Sequence, residues 1–333
     1  GQNRVFVWHR IPDTETAPAD AILGQRDVLG TARNAGGAPG RDTLHYPSGV
    51  WTDGTRLVVA DAWNHRVLVW HALPAGHGPP ADVILGQGDG AHALPNRGGV
   101  GRPPSAASCY WPYGVTGDGD TLWVADTGNR RVLHWRTWPE RDGTPADGVV
   151  GQATLDARDY DLAGTCWPYA ARPTPQGGLV VTDTGAFRVL HWHHARSALD
   201  GAPPDLVLGQ ESLAGNLQNR GRLRPWAASL NWCYDAVRLA DGRLVVADTG
   251  NCRLLGWDAL PGRNGAAADA LYGQPGFETI GEVAHPELVP DGAYWPFALA
   301  VAGPMLCVAD TGNHRVLLGS CDDVRAPAVL VAA

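Results

Sequence analysis

Short apolar runs of four to six residues recur along the whole chain, each closed by a turn signal. The segment LVVADAWNHRVLVW, residues 57 to 70, returns as LWVADTGNRRVLHW, LVVTDTGAFRVLHW, LVVADTGNCRLLGW and LCVADTGNHRVLLG. Within each copy two apolar runs flank a tight turn of the Thr-Gly-Asn type, the pattern of two antiparallel strands joined by a hairpin. A second run follows the first four copies, ending in Gln87, Gln152, Gln210 and Gln274 as VILGQ, GVVGQ, LVLGQ and ALYGQ. A third precedes every copy, reading HYPSGV from His45, YWPYGV from Tyr110, CWPYAA from Cys166, NWCYDAV from Asn231 and YWPFAL from Tyr294.

Each repeat therefore carries four short strands, here called a (WPYGV), b (LWVAD), c (RVLHW) and d (VILGQ). Four antiparallel strands per repeat is the blade of a β-propeller. The central aspartates, Asp61, Asp126, Asp183, Asp248 and Asp310, stand farther apart than the ~40 to 45 residues of a WD40 blade. The excess lies in Gly- and Pro-rich loops between d and the next a, which show no period of their own. An N-terminal piece, Asn3 to Trp8 followed by AILGQ to Gln25, supplies strands c and d once more.

The expectation is one all-β domain over residues 1–333, a six-bladed propeller with an incomplete first blade: a half blade at 1–25, then full blades at about 44–87, 109–152, 165–210, 230–274 and 293–332. The tail RAPAVLVAA reads as strand d of the last blade. The missing inner pair of the first blade then lies upstream of Gly1, or a two-stranded blade closes the ring. The repeat resembles the NHL-repeat family, on the tripeptides Asn64-His65-Arg66 and Asn313-His314-Arg315. That resemblance implies a propeller over essentially the whole chain. It implies little about activity, since such propellers include ligand, protein and RNA binders, extracellular sensors and a few lyases.

What recurs in every blade is best read as structure. Asp61, Asp126, Asp183, Asp248 and Asp310 each precede an arginine by five residues, Arg66, Arg131, Arg188, Arg253 and Arg315. The expectation is a turn device in which the carboxylate accepts from turn amides and pairs with the guanidinium. Tryptophans closing strand c and the aromatics opening strand a, Tyr46, Trp111, Trp167, Trp232 and Trp295, are expected to wedge between blades. His191, His193 and His194 are expected on an outer strand in solvent.

Departures from the repeat carry more information. If the strand a aromatics pack between blades, alternate residues face the axis, and there one blade replaces Pro by Cys233 and Gly or Ala by Asp235. Cys166, His45 and Cys109 could join them at a channel mouth. Thiols, an imidazole and a carboxylate suit zinc, copper or iron, and equally suit packing alone. Tyr110, Asn231 and Tyr294 are candidate contacts at the same mouth, and the loops add Trp226, Arg222 and Arg224 in GRLRPW, and Arg102 beside Pro103 and Pro104.

Composition narrows the classes further. The chain of 333 residues has net charge −8 and no lysine, which excludes lysine Schiff-base chemistry and makes nucleic acid an unlikely partner. No apolar stretch reaches the ~20 residues of a membrane span. The six cysteines, Cys109, Cys166, Cys233, Cys252, Cys307 and Cys321, show no framework spacing. They leave the compartment open, with a cytoplasmic location slightly favoured over a secreted one. No Ser-His-Asp arrangement, phosphate loop or dinucleotide fingerprint is evident. Two readings remain: a non-enzymatic scaffold holding a protein partner or small ligand on its loop face, and a metal-binding protein or metal-dependent enzyme using Cys166, Cys233, Asp235 and His45.

Overall fold

A computed structural model describes residues 2–12, 14, 16–281, 292–321 and 331–332. Five antiparallel sheets of four strands follow one another along the chain. They are β3 (Pro47–Thr52), β4 (Leu57–Asp61), β5 (Arg66–Trp70) and β6 (Val83–Leu85); β7 (Pro112–Asp118), β8 (Thr121–Asp126), β9 (Arg131–Trp135) and β10 (Gly148–Val150); β11 (Pro168–Pro173), β12 (Leu179–Asp183), β13 (Arg188–Trp192) and β14 (Leu206–Leu208); β15 (Asp235–Arg238), β16 (Leu244–Asp248), β17 (Arg253–Trp257) and β18 (Ala270–Tyr272); and β19 (Pro296–Ala302), β20 (Met305–Asp310), β21 (Arg315–Ser320) and β22 (Val331–Ala332). Ahead of them β1 (Val5–Val7) and β2 (Ala21–Leu23) pair alone. The fold is an all-β β-propeller with four-stranded blades.

Among the described residues five four-stranded blades are present rather than the six expected. The N-terminal segment contributes only a two-stranded sheet, because among the described residues no inner pair completes it. The chain forms two compact units, Gly1–Tyr160 and Asp161–Ala333. The first holds β1 to β10 and the second β11 to β22.

In three blades the second strand is buried along its full length, at Leu57–Asp61, Leu179–Asp183 and Leu244–Asp248. A strand covered on both faces needs a continuous apolar run in place of alternation, which is what LVVAD supplies. Within the first unit Val58, Val67 and Leu85 pack with Val124, Leu133 and Trp135 of the next blade, while Leu57 and Leu68 pack with Val7 and Leu23. Within the second unit Val189 and Leu208 meet Val246 and Leu255, and Val245 meets Leu306 and Val308. At about 25 cal/mol per Å2 of apolar area, these interfaces supply most of the driving force for stacking blades.

The glycine of the LGQ run has φ of +85° at Gly24, +85° at Gly86, +86° at Gly151, +84° at Gly209 and +88° at Gly273. Side chains rarely adopt that backbone, so this position is held to glycine in each copy. The following glutamine donates from Nε2 to the carbonyl of the residue before the strand c arginine, for example Gln87 to His65 at 3.1 Å and Gln152 to Arg130 at 3.0 Å. Those acceptor residues are themselves left-handed, His65 at φ +53° and Arg130 at +55°. The amide thus secures the strained corner of each hairpin.

Candidate functional site

The hairpin aspartates sit at the centre of a hydrogen-bonded cassette. Asp126 Oδ1 accepts from the backbone N–H of Tyr110 at 2.7 Å, and its Oδ2 accepts from Asn129 Nδ2 at 2.8 Å and Arg131 Nε at 2.7 Å. The same three donor types meet Asp61 from His45, Asn64 and Arg66, and Asp248 from Asn231, Asn251 and Arg253. Asp310 takes them from Tyr294, Asn313 and Arg315. Asp183 has Arg188 and the amides of Cys166 and Trp167. The backbone donors come from the head of strand a rather than from the hairpin turn. Burial pushes the carboxyl pKa of Asp61, Asp126, Asp183 and Asp248 up, opposed first by the paired arginine.

The loops before strand a do carry a period, contrary to the sequence reading. Each of three loops presents a left-handed buried asparagine, Asn34, Asn96 and Asn219. Each pairs with the hairpin asparagine of its blade: Asn64 Nδ2 donates to Asn34 Oδ1 at 2.8 Å, Asn129 to Asn96 at 2.8 Å and Asn251 to Asn219 at 2.9 Å. The signal was present as Arg33-Asn34-Ala35-Gly36, Pro95-Asn96-Arg97-Gly98 and Gln218-Asn219-Arg220-Gly221. The blade whose hairpin reads Thr184-Gly185-Ala186 has no asparagine in the loop before it, as the pairing requires.

The strand a aromatics are not wedges. Tyr46 is 39% exposed, Trp232 36% and Trp295 44%, with Trp111 and Trp167 half-buried. Tyr46, Trp111, Trp232 and Trp295 have φ between +47° and +55°. A left-handed residue cannot extend a strand, so the sheet starts one residue later, at Pro47, Pro112 and Pro296. A register shift between Pro47 and Gly49, repeated at Pro112/Gly114, Pro168/Ala170 and Pro296/Ala298, breaks the alternation a second time. Period-two counting from the aromatic therefore does not carry through these positions.

The aromatics instead cluster with neighbouring rings, some of them exposed. In the first unit the ring of Trp63 lies 5.5 Å from Tyr46 and 5.4 Å from His45, and Tyr110 stacks 4.7 Å from Trp111 with His65 at 5.4 Å. Trp63, 47% exposed, stands where all four other hairpins have glycine, Gly128, Gly185, Gly250 and Gly312, a departure the sequence reading passed over. His65 Nδ1 accepts from Trp111 N at 3.2 Å, and burial first, then His45, lowers its pKa to about 4. Burial also lowers His45, against Asp61. In the second unit Trp232 meets Phe187 at 5.3 Å, Tyr294 meets Trp295 at 5.0 Å, and Tyr234 stacks on Phe297 at 4.1 Å with Tyr169 at 4.6 Å.

The residues considered as metal ligands are engaged elsewhere. Asp235 holds Arg172 by two hydrogen bonds, Nε to Oδ1 at 2.7 Å and Nη2 to Oδ2 at 2.5 Å, and accepts from Leu299 N at 2.8 Å. Cys233 is fully buried with Sγ 3.5 Å from Arg188 O, and Cys109 and Cys166 are buried too. Burial pushes the thiols of Cys109 and Cys233 well above their ordinary pKa, and nearby aspartates add to it. Among the described residues no group of three or more His, Cys, Asp or Glu side chains could hold a metal ion. His191, expected in solvent, is 1% exposed with neither ring nitrogen hydrogen-bonded, while His193 and His194 are exposed. Asn231, 7% exposed, packs its amide on Gly250, donating to its carbonyl at 3.1 Å.

No family model and no curated protein matches the chain. Solved structures that resemble it include a streptogramin B lyase, at 9% identity and a TM-score of 0.45 over 83% of this chain and 66% of that one. A nidogen/laminin complex matches at 14% identity and a TM-score of 0.49 over 87% and 81%, and the WD40 β-propeller domain of Doa1 at 11% and 0.44 over 89% and 73%. At such identities nothing about ligand or activity transfers. No described helix is long and apolar enough to cross a membrane.

Proposed function

We propose that this propeller, of NHL-repeat type, is a non-enzymatic interaction scaffold that holds a protein partner on exposed aromatics at its strand heads and hairpins. The observation that carries the reading is the series of large aromatics left exposed there, Tyr46, Trp63, Trp232 and Trp295. Each is fixed at a hairpin or at a left-handed strand head. Rigid, amphipathic rings bury large areas at low entropic cost, which is why Trp and Tyr dominate binding hot spots. The Asp-Arg-Asn cassettes beneath them explain the rigidity, and the repeat motif with Asn64-His65-Arg66 and Asn313-His314-Arg315 supports the NHL type. The cassettes are occupied by their own hydrogen bonds, so the repeat itself needs no catalytic role.

The test compares proteins retained from a native extract by the wild-type chain with those retained by Trp63→Ala and by Trp232→Ala/Trp295→Ala. A partner lost by an order of magnitude from at least one variant, at unchanged melting temperature, supports the scaffold. Retention unchanged in both variants contradicts it.

A further inference from the structure

The loop leading from β14 into β15 departs from its counterpart. After Asn219-Arg220-Gly221 it continues Arg222-Leu223-Arg224-Pro225-Trp226, where the loop before β7 continues Gly99-Val100-Gly101-Arg102-Pro103-Pro104 after Asn96-Arg97-Gly98. Arg220 serves the fold, since its Nε donates to Gly209 O at 3.2 Å and its Nη2 to Gly265 O at 2.9 Å, with Glu211 3.7 Å away. Arg222 lies on the ring of Trp226, 4.5 Å from its centroid, and Arg220 lies 5.1 Å from it. Arg222, Arg224 and Arg263 are exposed and have no carboxylate partner among the described residues.

Arg220 and Arg222 thus meet on one ring, and burial first, opposed by Glu211 and joined by Arg222 and Arg263, lowers the pKa of Arg220. In a chain of net charge −8 without lysine, arginines gathered with Glu211 as their one ion-pair partner among the described residues are an unbalanced positive surface. Between two of them Leu223 is 96% exposed. With Ile280, 52% exposed, it borders an open depression of about 400 Å3 whose walls include Asn231 and Gly250.

We propose that this loop is the docking surface for an acidic segment of a protein partner, with an apolar side chain seated between Leu223 and Ile280 and flanking carboxylates on Arg222 and Arg224. The guanidinium fork matches a carboxylate in two hydrogen bonds, and stacking on Trp226 holds Arg222 in place before the partner arrives. Covering an apolar side chain as exposed as Leu223 adds the hydrophobic contribution that charge alone lacks. A long polyanion fits less well, because beyond these few arginines it meets a surface of net negative charge. This rests on the scaffold reading and adds the chemistry of the partner.

The test selects a library of random displayed peptides on the immobilised full chain. Enriched peptides carrying Asp or Glu on both sides of a Leu, Ile or Phe are expected. A synthetic copy should bind Arg222→Gln/Arg224→Gln about tenfold more weakly and should weaken with added salt. Acidic peptides that bind this variant equally well overturn the proposal. So does heparin or single-stranded DNA binding more tightly than any selected peptide with the same arginine dependence. Peptides without acidic bias that are lost on Trp232→Ala/Trp295→Ala refute the docking surface while leaving the scaffold standing. No enrichment at all refutes both.

Discussion

Removing Asp235 should destabilise the second unit through the charge it leaves behind. Its side chain is 4% exposed and that of Arg172 22%, so Asp235→Ala strands a mostly buried guanidinium and unpairs Leu299 N. Breaking a buried pair from one side costs about 3 to 5 kcal/mol, and an orphaned buried donor about 1 to 3. Burial opposes ionisation of Arg172, but Asp235 overcomes it and raises its pKa, so the pairing is tight in the folded chain. Arg172→Ala alone should cost about as much, by leaving the carboxylate unpaired. The double variant removes both charges and should cost little more than either single change, giving a coupling of about 3 kcal/mol in a double-mutant cycle. Urea denaturation of the four proteins measures it. Additive losses would refute the clamp, and a loss for Asp235→Ala that a chelator reproduces in the wild type would restore a metal site.

Acid should weaken the fold in a defined window. The pKa of His65 and of His191 falls to about 4 on folding, mainly through burial, from 6.5. The unfolded chain then takes up protons first, and stability drops as pH falls from about 6.5 towards 4, by roughly 1 to 2 kcal/mol per histidine at pH 5. His191→Leu should remove about half of that drop in urea midpoints at pH 7 and 5, and an unchanged drop would exclude His191 as a source. Asn96→Ala and Asn129→Ala should each cost about 1 to 2 kcal/mol and be strongly non-additive, because either one orphans the other amide; independent losses would break the pairing claim. Cys109, Cys166 and Cys233 should resist a thiol reagent in the folded state and react on unfolding, whereas fast labelling of the native chain would contradict their burial.

The blades were legible because packing repeats: a strand covered on both faces must read as LVVAD, and the LGQ glycine must recur wherever φ is positive. The cassette residues were legible for the same reason, although the donors that meet Asp61 and Asp126 come from the head of strand a, which no pattern in the hairpin shows. The asparagine pairs were overlooked because Asn34 and Asn64 are separated by 30 residues of unequal loop, so only the three-residue Asn-x-Gly turn repeats. The exposed aromatics were misread because a left-handed Trp or Tyr and a bulge interrupt period-two counting, neither of which a strand pattern announces. Asp235 was read as a metal ligand because its partner Arg172 lies 63 residues earlier, outside any local pattern. Of the exposed rings only Trp63 left a visible trace, by replacing the hairpin glycine.

The most direct test of the account is hydroxyl-radical footprinting of the chain with and without its captured partner, read at the aromatic side chains. Protection of Tyr46 and Trp63 in the first unit, or of Trp232 and Trp295 in the second, with the buried Trp135 unchanged, is the predicted result. Protection confined to residues such as His193 and His194 after β13, with the four exposed rings as reactive as before, would contradict it.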